Sequence, residues 1–119
     1  MVNRVLLAAV RRETRSALRL LLEQEGFDVV GEASDADELL MMLAAAKPHL
    51  LLLDWGLPGS RGDELLSSLR NLRPDLVVIA LSGRPEVRKV ALSAGARSFV
   101  SKGDPPEKLL NALSEVSRG

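Results

Sequence analysis

Short runs of apolar residues alternate with amphipathic segments along the whole chain, and this alternation limits the fold more than any other feature. The runs that we interpret as strands span residues 5–9, 27–31, 50–54, 76–81 and 97–101. Each run is followed by a segment whose apolar residues recur at helical spacing. Strands that are apolar on both faces are typical of a parallel sheet that helices cover on each side. The sequence therefore predicts an α/β fold with five parallel strands.

Local signals mark where several of the predicted helices begin and end. Gly26 is a natural end for the first helix. Ser34 or Asp35 can cap the second helix, and Pro48 follows its end. Asp104 stands before two prolines, so we expect it to cap the last helix. The predicted apolar helix faces consist of Leu18, Leu21 and Leu22; Leu39, Leu40 and Leu43; Leu65, Leu69 and Leu72; Val87, Val90, Ala91 and Ala94; and Leu109, Leu113 and Val116.

The number of strand–helix units also indicates a strand order. Five units fit the order 2-1-3-4-5 of the flavodoxin-like fold, a three-layer sandwich. In that order, ligands bind at the carboxyl ends of the strands. The 119 residues suit one domain, because a single hydrophobic core usually serves about 100–150 residues. We therefore expect residues 1–119 to form a single domain.

The composition excludes several classes of function. Basic and acidic side chains number 16 each, so the formal net charge is zero and no nucleic-acid-binding face is indicated. Cys is absent and His49 is the only histidine, which excludes thiolate chemistry and metal sites built from Cys or several His. No apolar run approaches the roughly 20 residues of a membrane span, and no signal peptide is recognisable. We therefore expect a cytoplasmic protein.

Three polar side chains lie at the ends of successive predicted strands. Asp54 ends the third strand, Ser82 follows the fourth and Lys102 follows the fifth. Because the carboxyl ends of parallel strands meet at one edge of a sheet, we expect these side chains to lie close together. A carboxylate can accept a phosphoryl group, while a hydroxyl and an ammonium can bind its oxygens. Each residue alone is commonly a helix cap or a solvated group, but all three beside the Gly- and Pro-rich loop 56–60 form a more specific pattern.

These stretches resemble the receiver domain of bacterial two-component response regulators, which has the CheY-like fold. The resemblance extends over nearly the whole chain, and residues 51–59, 80–83 and 94–102 carry it. Residues 29–33 and 102–104 are similar to receivers that precede a LuxR-type helix-turn-helix output domain. The resemblance thus implies that the natural polypeptide continues into a C-terminal DNA-binding output domain that regulates transcription.

The resemblance also implies roles for four residues. Asp54 would be the phosphoacceptor, Ser82 the hydroxyl that reorients toward the phosphoryl group, and Lys102 the cation that binds it. Phe99 would be the switch residue that turns inward when Ser82 moves. A sensor histidine kinase would be a partner, and the face formed by the fourth helix, fifth strand and fifth helix would form a homodimer or transmit the output.

The chain departs from the family pattern at the end of the first strand. The family has two adjacent carboxylates there, whereas this chain has Ala9 and Val10. Residues 1–12 contain no Asp or Glu, so a shifted alignment does not restore the pair. Arg11, Arg12 and Arg15 follow, and we interpret them as a solvated first turn of the first helix. The alternative is a basic patch for a phosphorylated or acidic partner.

This departure changes the expected metal chemistry. Mg²⁺ prefers near-octahedral oxygen ligands, and the remaining candidates are the Asp54 carboxylate and the Gly56 carbonyl. Two like charges 4 Å apart repel by roughly 4 kcal/mol at an effective dielectric constant near 20, so Lys102 opposes a second cation beside Asp54. We therefore expect Mg²⁺ binding to be weak or absent, and no other cofactor. We expect Asp54 to form ion pairs with Lys102 and with Arg11 or Arg12.

Three functions remain open at this stage. One is a receiver domain that Mg²⁺-dependent phosphorylation does not switch, and another is a conventional receiver with weakened metal binding. The third is a stand-alone module for protein interaction or for a small ligand, with Trp55 as a half-exposed aromatic group at the same edge of the sheet. An enzyme is not expected, because no Gly-rich phosphate loop follows the first strand and no Ser/His/Asp set is available.

Overall fold

Strands and helices alternate five times along the chain. The structure, a computed structural model, describes the backbone of residues 3–118 and the side chains of residues 3–116. The strands are β1 (Arg4–Ala8), β2 (Asp28–Ala33), β3 (Leu50–Asp54), β4 (Val77–Ser82) and β5 (Ser98–Ser101). The helices are α1 (Arg12–Gln24), α2 (Ala36–Ala46), α3 (Gly62–Leu72), α4 (Arg88–Ala94) and α5 (Pro106–Arg118). A short 3₁₀ turn at Pro85–Val87 leads into α4.

The five strands form one parallel sheet in the order β2-β1-β3-β4-β5, which confirms the predicted fold and strand order. In the register of the sheet, Ala8 lies beside Leu53 and Asp54 lies beside Leu81. Ser82 in turn lies beside Ser101. The carboxyl ends of β1, β3, β4 and β5 therefore lie side by side. We call this edge, together with the loops that follow these strands, the rim.

The core consists of two apolar layers, one on each face of the sheet. All five residues of β3 are buried, and alternate leucines point into opposite layers. Leu51 and Leu53 pack with α2, α3 and α4, whereas Leu50 and Leu52 pack with α1 and α5. Burial on both faces explains why this strand is an unbroken apolar run. The run ends at Asp54, where the strand reaches the rim.

Two predicted helix faces are partly wrong. Val90 is 49 % exposed although Val87 and Ala91 are buried, so Val90 falls at the edge of the apolar stripe of α4. Leu72 is 62 % exposed and lies in the last turn of α3. Leu66 is buried instead, so the apolar stripe of α3 is centred beside it and Leu72 falls at the edge of that stripe.

Of the predicted helix caps, the one at Asp35 is confirmed and the one at Asp104 is wrong. The Asp35 carboxylate accepts a hydrogen bond from the Glu38 N–H at 2.8 Å and so caps α2, as predicted. The Asp104 carboxylate instead accepts from the Ser101 N–H at 3.0 Å and closes the turn after β5. The cap predicted for Asp104 is therefore wrong, because its carboxylate binds the turn before α5 and not the first turn of that helix. Among the described residues, no helix is long and apolar enough to cross a bilayer.

Candidate functional site at the rim

A buried carboxylate and an ammonium meet directly at the rim. Asp54 is the last residue of β3, and its side chain is only 9 % exposed. The Lys102 Nζ lies 2.6 Å from Asp54 Oδ2, and the Gly56 N–H donates to Asp54 Oδ1 at 3.1 Å. The Lys102 N–H donates to the Ser82 carbonyl at 2.8 Å, which fixes the backbone that carries the ammonium. Both carboxylate oxygens of Asp54 are thus bound by groups of the chain itself.

Ser82 lies beside this pair at the end of β4 and is buried. Its hydroxyl oxygen accepts a hydrogen bond from the Arg84 N–H at 3.1 Å, so it closes the turn that leaves β4. Phe99 in β5 is buried among the apolar residues that face α2, α3 and α4. The Arg88 guanidinium carbon lies 6.0 Å from the centre of the Phe99 ring. The structure therefore places Phe99 inside the fold and the Ser82 hydroxyl in a turn.

An arginine from α1 binds the end of β1. The Arg15 Nη1 donates to the carbonyl oxygens of Ala9 at 2.7 Å and Val10 at 3.1 Å. The Arg15 Nε donates to Glu32 Oε1 at 3.0 Å, and the Arg15 side chain is only 16 % exposed. The interpretation of Arg15 as a solvated residue is therefore wrong. The sequence signal was Glu32, a carboxylate near the end of β2, which lies beside β1 in the predicted order.

Glu32 binds a second arginine on its other carboxylate oxygen. The Arg19 Nε donates to Glu32 Oε2 at 2.7 Å, and the Arg19 Nη1 also donates to Glu23 at 3.3 Å. Burial by itself would raise the pKa of Glu32, but the hydrogen bonds from Arg19 and Arg15 outweigh it and lower the pKa below its ordinary value. The hydrogen bond to Glu32 likewise raises the pKa of Arg19. Glu32 is therefore held as a carboxylate between two guanidinium groups.

Arg11 and Arg12 do not pair with Asp54. The Arg11 side chain is 71 % exposed and its Nη2 lies 3.8 Å from Glu13. Arg12, the first residue of α1, is also exposed. This part of the prediction is wrong because α1 begins directly after the turn, where Arg11 turns toward its near neighbour in sequence. Of the predicted partners, the structure brings only Lys102 to Asp54.

The ends of β1 and β3 supply a single side-chain carboxylate to the rim, that of Asp54. Ala9 and Val10 offer no side-chain oxygen, and both oxygens of Asp54 already accept hydrogen bonds from Lys102 and Gly56. Within residues 3–118, no group of three or more His, Asp or Glu side chains could hold a metal ion. Mg²⁺ gives up its hydration water reluctantly and usually needs carboxylates to hold it. This rim offers one carboxylate that is already neutralised.

Comparison with known proteins assigns the chain to a family. The family model for the response regulator receiver domain matches residues 5–114. The isolated receiver domain of RcsB from Salmonella enterica serovar Typhimurium, solved with the phosphomimetic BeF₃⁻, superimposes with a TM-score of 0.92 at 27 % identity. That match covers 100 % of this chain and 91 % of the RcsB chain. The chain therefore belongs to the response regulator receiver domains.

Two transcription regulators are also similar to the chain. BvgA, a virulence-factor transcription regulator of Bordetella pertussis, is 34 % identical over 100 % of this chain and 58 % of its own length. PhoB, the phosphate regulon transcriptional regulator of Escherichia coli, is 33 % identical over 99 % of this chain and 53 % of its own length. RcsB bound to the promoter rprA has a TM-score of 0.88 at 28 % identity, over 96 % of this chain and 67 % of that chain. The chain thus spans little more than half the length of these curated relatives.

Proposed function

We propose that this receiver domain works without Mg²⁺-dependent phosphorylation. In this proposal, Asp54 serves as the partner of Lys102 and is not a working phosphoacceptor. The domain passes its signal through a C-terminal DNA-binding output domain and forms a homodimer through the face of α4, β5 and α5. The similarity to BvgA, PhoB and promoter-bound RcsB supports the role in transcription.

One observation carries the proposal: the charge at the rim is already balanced. The Asp54 carboxylate is neutralised by the Lys102 ammonium at 2.6 Å, and no second carboxylate stands at Ala9 or Val10. A divalent cation beside Asp54 would face Lys102 without the excess negative charge that would attract it. Phosphoryl transfer normally depends on a metal ion to neutralise the charge that develops on the phosphoryl oxygens. Without that ion, the transfer to Asp54 should be slow.

A specific observation also favours a second candidate, a conventional receiver with weakened metal binding. Asp54 and Lys102 meet at the rim, and the Lys102 N–H is hydrogen-bonded to the carbonyl of Ser82. In that case a sensor histidine kinase would phosphorylate Asp54 even though Mg²⁺ binds poorly. The phosphorylation experiment below separates the two candidates.

The experiment exposes the chain to acetyl phosphate and Mg²⁺ and measures the phosphorylated fraction by intact mass. We expect this fraction to be at least about tenfold lower than in a variant with Ala9→Asp and Val10→Asp, because only the variant supplies metal ligands. Asp54→Asn, made in the wild type and in the variant, identifies the phosphorylated residue. Equal phosphorylation of the wild type and the variant, abolished in both by Asp54→Asn, would instead establish the conventional receiver.

A further inference from the structure

A cavity of about 420 Å³ opens at the rim between the loop after β3 and the segment that leads into α4. Its lining includes Trp55 and Arg61 on one side, and Arg84, Val87 and Val90 on the other. Small-molecule sites in proteins are commonly about 300–1,000 Å³ in volume, and the lining of this open cavity is about evenly polar and apolar. The cavity is thus large enough for a compact ligand, and it lies beside the residue that follows Asp54.

The indole of Trp55 packs against Gly62, the first residue of α3. A Cβ atom built on Gly62 would lie 2.4 Å from Trp55 Cε2, so the ring packs directly on the Gly62 backbone. The backbone N–H of Trp55 donates to the Leu81 carbonyl at 2.8 Å, which fixes the main chain that carries the ring. Trp55 is nevertheless only half-buried, as predicted. The partly exposed side chain of Trp55 therefore contributes aromatic surface to the cavity.

The cavity lining carries one uncompensated positive charge. The Arg61 Nη2 is paired with Asp63 at 2.9 Å. Arg84 is exposed, and among the described residues no carboxylate lies within 4.0 Å of its guanidinium. Its backbone N–H is bound to the Ser82 hydroxyl, so the residue is anchored while its side chain stays available. The half-exposed Val90 adds apolar surface beside this charge.

We propose that this cavity binds a planar aromatic monoanion, with its ring on Trp55 and its carboxylate on Arg84. Aromatic rings stack on indole, and the guanidinium fork matches the geometry of a carboxylate. The single net charge favours a monoanion over a cation or a neutral ring. This inference rests on the proposed function, since it names the class of ligand that would act at the rim in place of phosphorylation. A bound ligand would bridge the loop after β3 and the segment before α4, and so favour one arrangement of the two.

Titration of the ¹⁵N-labelled chain with benzoate tests the site, followed by the indole N–H resonance of Trp55. Trp55 is the only Trp, so this resonance is unambiguous. We expect saturable shifts at Trp55 and at the Arg84 amide, with a Kd on the order of millimolar for so small a probe. Benzylammonium reverses the charge on the same ring, and acetate lacks the ring. Each should bind at least about tenfold more weakly than benzoate.

Two substitutions complete the test. Arg84→Gln should weaken benzoate binding at least about fivefold, because the charge-assisted hydrogen bonds are lost. Arg97→Gln is the matched control, since Arg97 is also exposed but lies before the amino end of β5, and it should leave the Kd unchanged. No shift at Trp55 in the folded chain, equal binding of benzylammonium, or an unchanged Kd in Arg84→Gln would each overturn the proposal. Neither Mg²⁺ nor a phosphodonor is present, so this result is independent of the phosphorylation experiment.

Discussion

The ends of β1 and β3 are neighbours in the sheet but have different chemistry. At the end of β3, the buried Asp54 carboxylate meets the ammonium of Lys102. At the end of β1, Ala9 and Val10 have apolar side chains, and the guanidinium of Arg15 binds their carbonyl oxygens. Both ends are thus bound by cations of the chain itself. The comparison teaches that neighbouring strand ends at one rim can each bind a cation of the chain, one through a carboxylate and the other through backbone carbonyls.

Burial decides how much stability is lost when the cation at either strand end is removed. A buried charge that loses its partner is strongly unfavourable, and a buried carbonyl that loses its donor costs about 1–3 kcal/mol. Lys102 is 41 % exposed, so solvent screens its interaction with Asp54. The side chains of Arg15 and Glu32 are 16 % and 28 % exposed. We therefore expect the end of β1 to depend more on its arginine than the end of β3 depends on its lysine.

Placing two carboxylates after β1 should give the ends of β1 and β3 the same negative charge. In a variant with Ala9→Asp and Val10→Asp, we expect the Mg²⁺ affinity to rise about a hundredfold or more, because two nearby negative charges each contribute several kcal/mol. Isothermal titration calorimetry measures the affinity. The matched control is Ala9→Asn with Val10→Asn, which has the same shape without the charge. A folded acidic variant with no more affinity than this control would show that the missing carboxylates are not the cause.

Removing the arginine tests the end of β1. Arg15→Met should lower the free energy of unfolding by about 2 kcal/mol, because it removes the donor of the part-buried Ala9 carbonyl and one of the two guanidinium partners of Glu32. Arg12→Met is the control, since Arg12 is exposed on the same helix and should change stability by less than about 0.5 kcal/mol. Urea denaturation of both variants measures the difference. Equal effects of the two substitutions would refute the special role of Arg15.

Removing the lysine tests the end of β3. Lys102→Met should lower the free energy of unfolding by about 1–2 kcal/mol, because it leaves the Asp54 carboxylate buried without its counter-ion. Asp54→Asn should recover part of this loss, so that the double variant is less destabilised than the sum of the single variants by about 1 kcal/mol. Chemical denaturation of the full cycle gives this coupling energy. Simple additivity would mean that the ion pair contributes nothing.

The smallest expected effect is a dependence on pH at the end of β2. The pKa of Glu32 is lower in the folded chain than its ordinary value of 4.5, so its contribution to stability is present above that pH. The contribution is lost as the pH falls through the lower folded pKa. The stability difference between the wild type and Glu32→Gln should therefore shrink as the pH falls below about 4.5. Denaturation curves across this range measure it, and a constant difference would contradict the assignment.

Much of the fold could be predicted because burial on both faces leaves a simple sequence signature. The run 50–54 is β3 to the residue, and the strand order follows from the repeated unit. The exposure of Val90 could not be predicted, because Val90 fits the helical spacing as well as the buried Ala91 does. Periodicity marks every apolar residue near one helix face, whereas the packing of α4 on the sheet decides which of them is buried.

The candidate site was predictable where strand ends alone determine it. The pairing of Asp54 with Lys102 follows from the order of β3, β4 and β5 and is present in the structure. The contact between Arg15 and Glu32 joins a helix to a strand edge, so it depends on how α1 packs on the sheet. Such a tertiary contact has no local sequence pattern. For the same reason, the sequence suggested Arg11 as a partner of Asp54 although it remains in solvent.

The most direct test of the central claim is a titration of the wild-type chain with Mg²⁺ and then with beryllofluoride, followed by the emission of Trp55. Trp55 adjoins Asp54 and no Tyr interferes with its signal. Circular dichroism confirms that the sample is folded, and the variant with Ala9→Asp and Val10→Asp is the positive control. We predict no saturable change in the wild type and a clear response in the variant. A saturating response of the wild type at about millimolar Mg²⁺, followed by a further change with beryllofluoride, would show that Asp54 is a working phosphoacceptor and would contradict the account.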